Sequence, residues 1–252
     1  VVAGIVIAVG MLIASTVAPR GPRLTDPQRT PIVDGYREGI AAIRRSAPFR
    51  ALLGVFLLQA VATGLMLAGA NYVAVWVMRS DDALIFLFVA LIAPAILFSP
   101  IWNAISRRVG KERAFAAASI MFSVAAASLV GAIWAPGVWM YASVGLAGAA
   151  YAGMQALPMA MLPDVISHDA RISGRSRAGV FGGVWTAGET TGMAIGAAAL
   201  TAILTITGYR ESVAGVDVEQ PTEAVTGIAV SFGIVPAVLT LASLIFLARY
   251  RL

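Results

Sequence analysis

Residues 160–196 read AMLPDVISHDARISGRSRAGVFGGVWTAGETTGMAIG. An apolar helix end runs into a short loop carrying Arg171, Arg175 and Arg177, and a second apolar segment follows. That second segment holds one carboxylate, Glu189, and no basic residue from Ala178 to Thr207. Two apolar segments hinged at an arginine-rich turn are what a chain shows when it leaves a bilayer and re-enters it.

The rest of the chain has the composition this reading needs. Hydrophobic residues make up 59% of the 252, charged residues only 12%, and the mean hydropathy is +0.85. A soluble domain carries about 25% charged residues, so too few polar groups are present to cover a globular surface. The length suits six or seven spans of about 20 residues with loops between them. With no cysteine there is no disulfide or thiolate metal site, and a lone His168 provides no histidine cluster for zinc. The opening VVAGIVIAVG has its arginines, Arg20 and Arg23, after the apolar run rather than before it, unlike a secretory signal. It reads as the end of a span entered from an upstream half.

Three regions follow. Residues 1–18 are uncharged and membrane-embedded. Residues 19–50 hold seven arginines and a run of prolines, and read as an aqueous connector. Within it, Asp34 is placed to cap a short amphipathic helix with Ile40 and Ile43 above Arg37, Arg44 and Arg45. Residues 51–252 contain apolar runs at 51–78, 83–106, 114–134, 138–163, 179–208 and 226–248. The connections alternate in charge: 107–113, 164–177 and the C-terminal tail are basic, whereas 209–225 is acidic and 135–137 is only Ala-Pro-Gly. Of the 18 basic residues, 16 fall on one side, counting the connector. The positive-inside rule makes that side cytoplasmic, with both the connector and the C-terminus inside. The net charge of +5 is thereby explained by topology rather than by nucleic acid.

Within the spans, polar groups are few. Gln59, Asn71, Asn103 and Gln155 are the amides, with Asn103 near an inner end. A buried amide must find partners, so helix–helix bonding and substrate contact both suit Gln59 and Gln155. Glu189 lies ten residues past Gly179, about 15 Å into its span and near the bilayer centre. A carboxylate there costs about 3 kcal/mol, so it should face the bundle interior or a cavity. Gly179 and Gly183, and then Gly188, Gly192 and Gly196, recur at four-residue spacing suited to close helix approach. Pro94, Pro100, Pro158, Pro163 and Pro236 are expected to kink or break their helices. No phosphate-binding loop, nucleophile elbow, H-E-x-x-H or dinucleotide fingerprint is present, so no enzyme is expected. His168, between Ser167 and Asp169, reads as a solvated loop residue.

Leu162-Pro163-Asp164-Val165-Ile166, then Gly174 and Gly179, resemble a helix end, loop and helix start in the glycoside–pentoside–hexuronide:cation symporters. These belong to the major facilitator superfamily and include the melibiose permease. Pro100-Ile101-Trp102, continuing through Ser106, Arg107, Gly110 and Lys111, resembles that family's loop between helices eight and nine. Pro48-Phe49 fits the start of helix seven. The resemblance spans essentially the whole chain, as the end of helix six, the central loop and helices seven to twelve.

It implies an all-α membrane protein: the C-terminal six-helix bundle of the major facilitator fold, working beside an N-terminal half. The implied activity is symport of a sugar or glycoside with Na⁺ or H⁺ and no bound cofactor. Its partners would be the lipid bilayer and a small-molecule substrate. The pathway candidates are Glu189, Thr190, Gln59, Gln155 and Asn71. The cytoplasmic-gate candidates are Asp164, Asp169, Arg175, Arg177, Arg107 and Lys111. Three positions depart from the family pattern: Ser176 stands for its loop arginine, Ala178 for its glutamate and Thr190 for its helix-eleven lysine. The lysine's coupling role therefore does not carry over. Two alternatives stand beside sugar symport: transport of a lysolipid or other amphiphile, and a non-transporting membrane scaffold or degenerate carrier.

Overall fold

A computed structural model describes residues 2–17, 39–41, 43–80, 82–174, 177–211 and 219–251. Asp34, Arg37, Arg175 and Ser176 lie outside the described residues. Among the described residues every regular element is helical. Helix α1, Val2–Val17, is a unit by itself and carries no charge. The second unit, Gly39–Leu252, is the helical bundle.

Its helices are α2 (Ala47–Tyr72), α3 (Ala83–Val109), α4 (Lys111–Ser128), α5 (Trp139–Ser173), α6 (Ala178–Ile206), α7 (Thr222–Phe232) and α8 (Ile234–Leu247). Ser46 caps α2 by accepting the Phe49 N–H, with Pro48 in the first turn, where its lack of an N–H costs nothing. A π-helical turn, Val73–Val77, ends α2, and a 3₁₀ turn, Leu129–Ile133, ends α4. Among the described residues five helical stretches are long and apolar enough to cross a membrane: Ala47–Val77, Ala83–Val109, Lys111–Ile133, Ala178–Ile206 and Thr222–Leu247. Helix α5 has the length, 35 residues. Its middle, AGAAYAGMQA, is built of small and polar residues that lower its hydropathy.

Helix α2 packs along α6 and α8, α4 along α5 and α8, and α3 along α5. Helix α3 turns Ile85, Phe86, Val89, Ile92, Ile96 and Leu97 outward, an apolar stripe suited to lipid or to another helix layer. The core is correspondingly small-residue-rich. A Cβ on Gly192 would stand 2.7 Å from the Ala60 Cβ, and one on Gly196 would stand 2.6 Å from the Leu65 nitrogen. Gly64 faces the Met193 backbone in the same crossing. The ladder read from the sequence therefore divides. Gly188, Gly192 and Gly196 lie against α2, whereas Gly179 and Gly183 meet nothing within 4 Å among the described residues.

Of the kinks or breaks expected at the prolines, a break is absent at four: α3 runs through Pro94 and Pro100, and α5 through Pro158 and Pro163. The last span alone is interrupted, at Gly233, and Pro236 sits in the first turn of α8, where the helix N–H groups lack partners anyway. Residues 164–173, read as loop, instead form the last turns of α5. The backbone stays helical past the apolar run until Gly174, whose φ of 68° caps the helix as glycine allows. His168 is accordingly a half-buried helical residue rather than a loop one.

Candidate functional site

Three polar residues from three helices meet in the middle of the bundle. Gln59 of α2, Gln155 of α5 and Glu189 of α6 line one recess with Phe56, Thr63, Tyr151 and Met193. Glu189 is eleven residues into α6 and Gln59 twelve into α2, so each lies about 17 Å along its helix axis from the basic end. Helix geometry presents these groups together. On α2, Phe56, Gln59 and Thr63 recur at intervals of three and four; on α5, Tyr151 and Gln155 are four apart; on α6, Glu189 and Met193 are four apart.

The Gln59 side chain is 3% exposed. Its Nε2 donates to Ser119 Oγ on α4 at 2.9 Å and to Ser243 Oγ on α8 at 3.1 Å, tying three helices together. Its Oε1 is buried with no hydrogen-bond partner among the described residues. Gln155 Nε2 donates to the Tyr151 hydroxyl. Glu189 is half-buried and forms no ion pair among the described residues. The recess thus carries one formal negative charge, free amide capacity and two aromatic rings.

Two further pathway candidates stand elsewhere. Thr190 is exposed and donates to the Thr186 carbonyl at 3.0 Å, and Asn71 is exposed towards the far end of α2. Tyr151, Phe56 and Thr63 were not singled out from sequence. The signal that could have found them is the three- and four-residue spacing from the two glutamines.

Aromatic rings close the space between α2 and α6 on both sides of the recess. Towards the basic end, Phe56 stacks on Trp185 with centroids 4.0 Å apart, and Phe49 meets Phe181 edge-on at 4.6 Å. Towards the other end, Trp76 Nε1 donates to the Tyr209 hydroxyl at 3.1 Å, and Tyr72 packs against the same ring at 5.3 Å.

At the basic end, Lys111 Nζ bonds Asp164 and the Ala160 carbonyl, fastening the start of α4 to α5. Arg177, at the start of α6, pairs with Asp169 of α5 at 3.5 Å, and both side chains are nearly buried. Four of the gate candidates therefore form two pairs. Arg107 is exposed beside Asn103 and joins neither. Tyr250, just past α8, is 3% exposed beside Lys111 and Asp164. Burial raises its phenol above the usual value of 10.0, and the charges of Asp164 and Glu112 add to that.

A bundle of bilayer-length helices around a half-buried carboxylate, with ion pairs at one end, defines a multi-pass membrane protein of the transporter class. The chain belongs to the MFS/sugar transport protein family, whose model matches residues 1–252. No curated protein is significantly similar in sequence. The family resemblance in the two loop motifs agrees with this membership.

Proposed function

We propose that the chain acts as the C-terminal half of a secondary active transporter that moves a sugar or glycoside together with a cation by alternating access. One observation carries the reading: Gln59, Gln155 and Glu189 converge with Tyr151 and Phe56 in a recess at membrane mid-depth. Amide and carboxylate oxygens suit sugar hydroxyls, and aromatic faces suit the apolar face of a sugar ring. Glu189, with no ion-pair partner among the described residues, is the group to hold Na⁺ or H⁺. In this reading the Lys111–Asp164 and Arg177–Asp169 pairs belong to a cytoplasmic gate and break when the inner end opens. The basic end then faces the cytoplasm, as the positive-inside rule requires.

The test is flux in proteoliposomes of the complete protein under imposed Na⁺ and H⁺ gradients, with wild type and Glu189→Gln. The variant should lose gradient-driven accumulation while keeping equilibrative exchange. Unchanged gradient dependence would show that Glu189 does not couple. An amphiphilic substrate is the second reading, favoured by an apolar chamber that continues from the recess.

A further inference from the structure

At the basic end, away from the mid-bundle recess, a cavity of about 290 Å³ opens where the start of α4 meets α5 and the end of α8. One water needs roughly 10–15 Å³ of such space, so a group of about ten heavy atoms fits. The wall is polar: Lys111, Glu112 and Arg113 at the start of α4, Asp164 of α5, and Tyr250 just past α8. Lys111 and Asp164 bond each other. Glu112 and Arg113 are exposed and form no ion pair among the described residues. The start of α4 has no side-chain cap, because Gly110 stands there with a φ of 93°, and a Cβ on it would meet nothing within 4 Å among the described residues. The N–H groups of that first turn lack intrahelical acceptors, and the positive end of the helix dipole lies with them.

Tyr250 adds an independent observation. It is 3% exposed, and its hydroxyl is buried with no hydrogen-bond partner among the described residues. Asp164 and Glu112, both on the cavity wall, act on its phenol, which puts the hydroxyl on the cavity side of the ring. A buried donor left open beside uncapped N–H groups suits an oxyanion. The surroundings favour an anion too. Exposed Arg107 and Arg108 precede the cavity residues of α4, exposed Arg249 and Arg251 flank Tyr250, and Glu112 and Asp164 are the only carboxylates on the wall. Helices α4 and α8 pack together and turn Ile120, Val124, Leu241 and Ile245 outward, an apolar surface for acyl chains.

We propose that this cavity binds the headgroup of an acidic phospholipid with a polyol headgroup, phosphatidylglycerol being the simplest case. Its phosphate lies at the α4 start against Arg113 and takes the Tyr250 hydroxyl proton as a hydrogen bond. Its headgroup hydroxyls donate to Glu112 and to the Asp164 oxygen that Lys111 leaves free. A choline headgroup has no hydrogen to donate to these carboxylates, and an ethanolamine headgroup brings an ammonium into a field of arginines. The proposal holds whatever the transported substrate is.

The experiment uses the complete protein, purified in a neutral detergent and stripped of lipid. It is incubated with equal amounts of dioleoyl phosphatidylglycerol, phosphatidylethanolamine and phosphatidylcholine, and the lipid retained after gel filtration is counted by mass spectrometry. Phosphatidylglycerol should be retained at least about fivefold over either of the others, the factor that one arginine near a lipid phosphate supplies. Arg113→Gln should bring the ratio close to one, and Tyr250→Phe should lower it. Arg44→Gln, exposed at the same end but off the cavity wall, should leave it unchanged. Tyr250→Phe alters no charge, so its effect separates a built site from general attraction. Equal retention of the three lipids, preference for phosphatidylethanolamine, or equal losses in Arg44→Gln and Arg113→Gln overturns the proposal. Thermal protection by free glycerol phosphate as strong as that by phosphatidylglycerol assigns the cavity to a soluble phosphate ester and overturns the lipid. If Tyr250→Phe fails to fold, the comparison of Arg113→Gln with Arg44→Gln decides.

Discussion

Replacing Gly196 by alanine should drive α2 and α6 apart, whereas the same change at Gly188, two turns earlier on the same helix, should not. A Cβ on Gly196 would stand 2.6 Å from the Leu65 nitrogen and 3.0 Å from the Gly64 carbonyl carbon, and would overlap the Val61 carbonyl oxygen. All three are backbone atoms, so no rotamer change relieves the contact. Overpacking of this kind costs about 3 kcal/mol at its upper end, and alanine returns up to about 1 kcal/mol in helix propensity. The net loss is roughly 2 kcal/mol. At Gly188 the nearest atom is Leu53 Cδ1, 3.1 Å away at the end of a flexible side chain. Its displacement costs about as much as the propensity returns, so the net change is close to zero. For a chain of this size a 2 kcal/mol difference corresponds to about 4–8 °C in Tm. The assay is thermal unfolding in micelles followed by intrinsic fluorescence, which also reports on Trp185 where it stacks on Phe56 in the same crossing. If the two variants melt together, the helix contact described for Gly196 is wrong.

The remaining predictions concern the basic end. Asp169→Asn should cost about 3 kcal/mol, because the Asp169–Arg177 pair is nearly buried and the change leaves a guanidinium without its counter-ion. Asp164→Asn should cost less than about 1 kcal/mol, since the Lys111–Asp164 side chains are about 40% exposed; denaturant titration of the two variants separates the cases. Tyr250 should make the fold base-sensitive. Its phenol ionises less readily when folded, so the folded state keeps more protons, and stability is lost as pH rises past 10.0. Tyr250→Phe should flatten that limb of the melting-versus-pH curve, and an unaltered limb would assign the loss to other groups.

The spans were legible in the sequence because burial in hydrocarbon forces every backbone group into a helix, so an uncharged run of sufficient length has one available structure. Their ends were less legible. Residues 164–173 continue α5 into the polar region because helix hydrogen bonds do not need an apolar environment, and only Gly174 stops them. Breaks at proline follow a related rule. In α3 and α5 the helix continues around them, whereas the last span breaks where Gly233 crosses α4: a Cβ there would stand 2.9 Å from the Ala126 carbonyl oxygen.

Glu189 was conspicuous as an isolated charge, and Gln59 and Gln155 as isolated amides, but nothing in their sequence positions related one to another. They are 34 to 130 residues apart; the crossing of α2 with α6, at glycines that allow backbone contact, brings Gln59 and Glu189 to one recess, and α5 adds Gln155. The sequence by itself determined that this protein lies in a membrane, because solvation energy acts on composition run by run. The tertiary structure decided which polar groups share a cavity, which amide is spent on Ser119 and Ser243, and where an apolar space adjoins that cavity. Those depend on the rotation of each helix about its axis, which is set by close contacts between helices far apart in the chain.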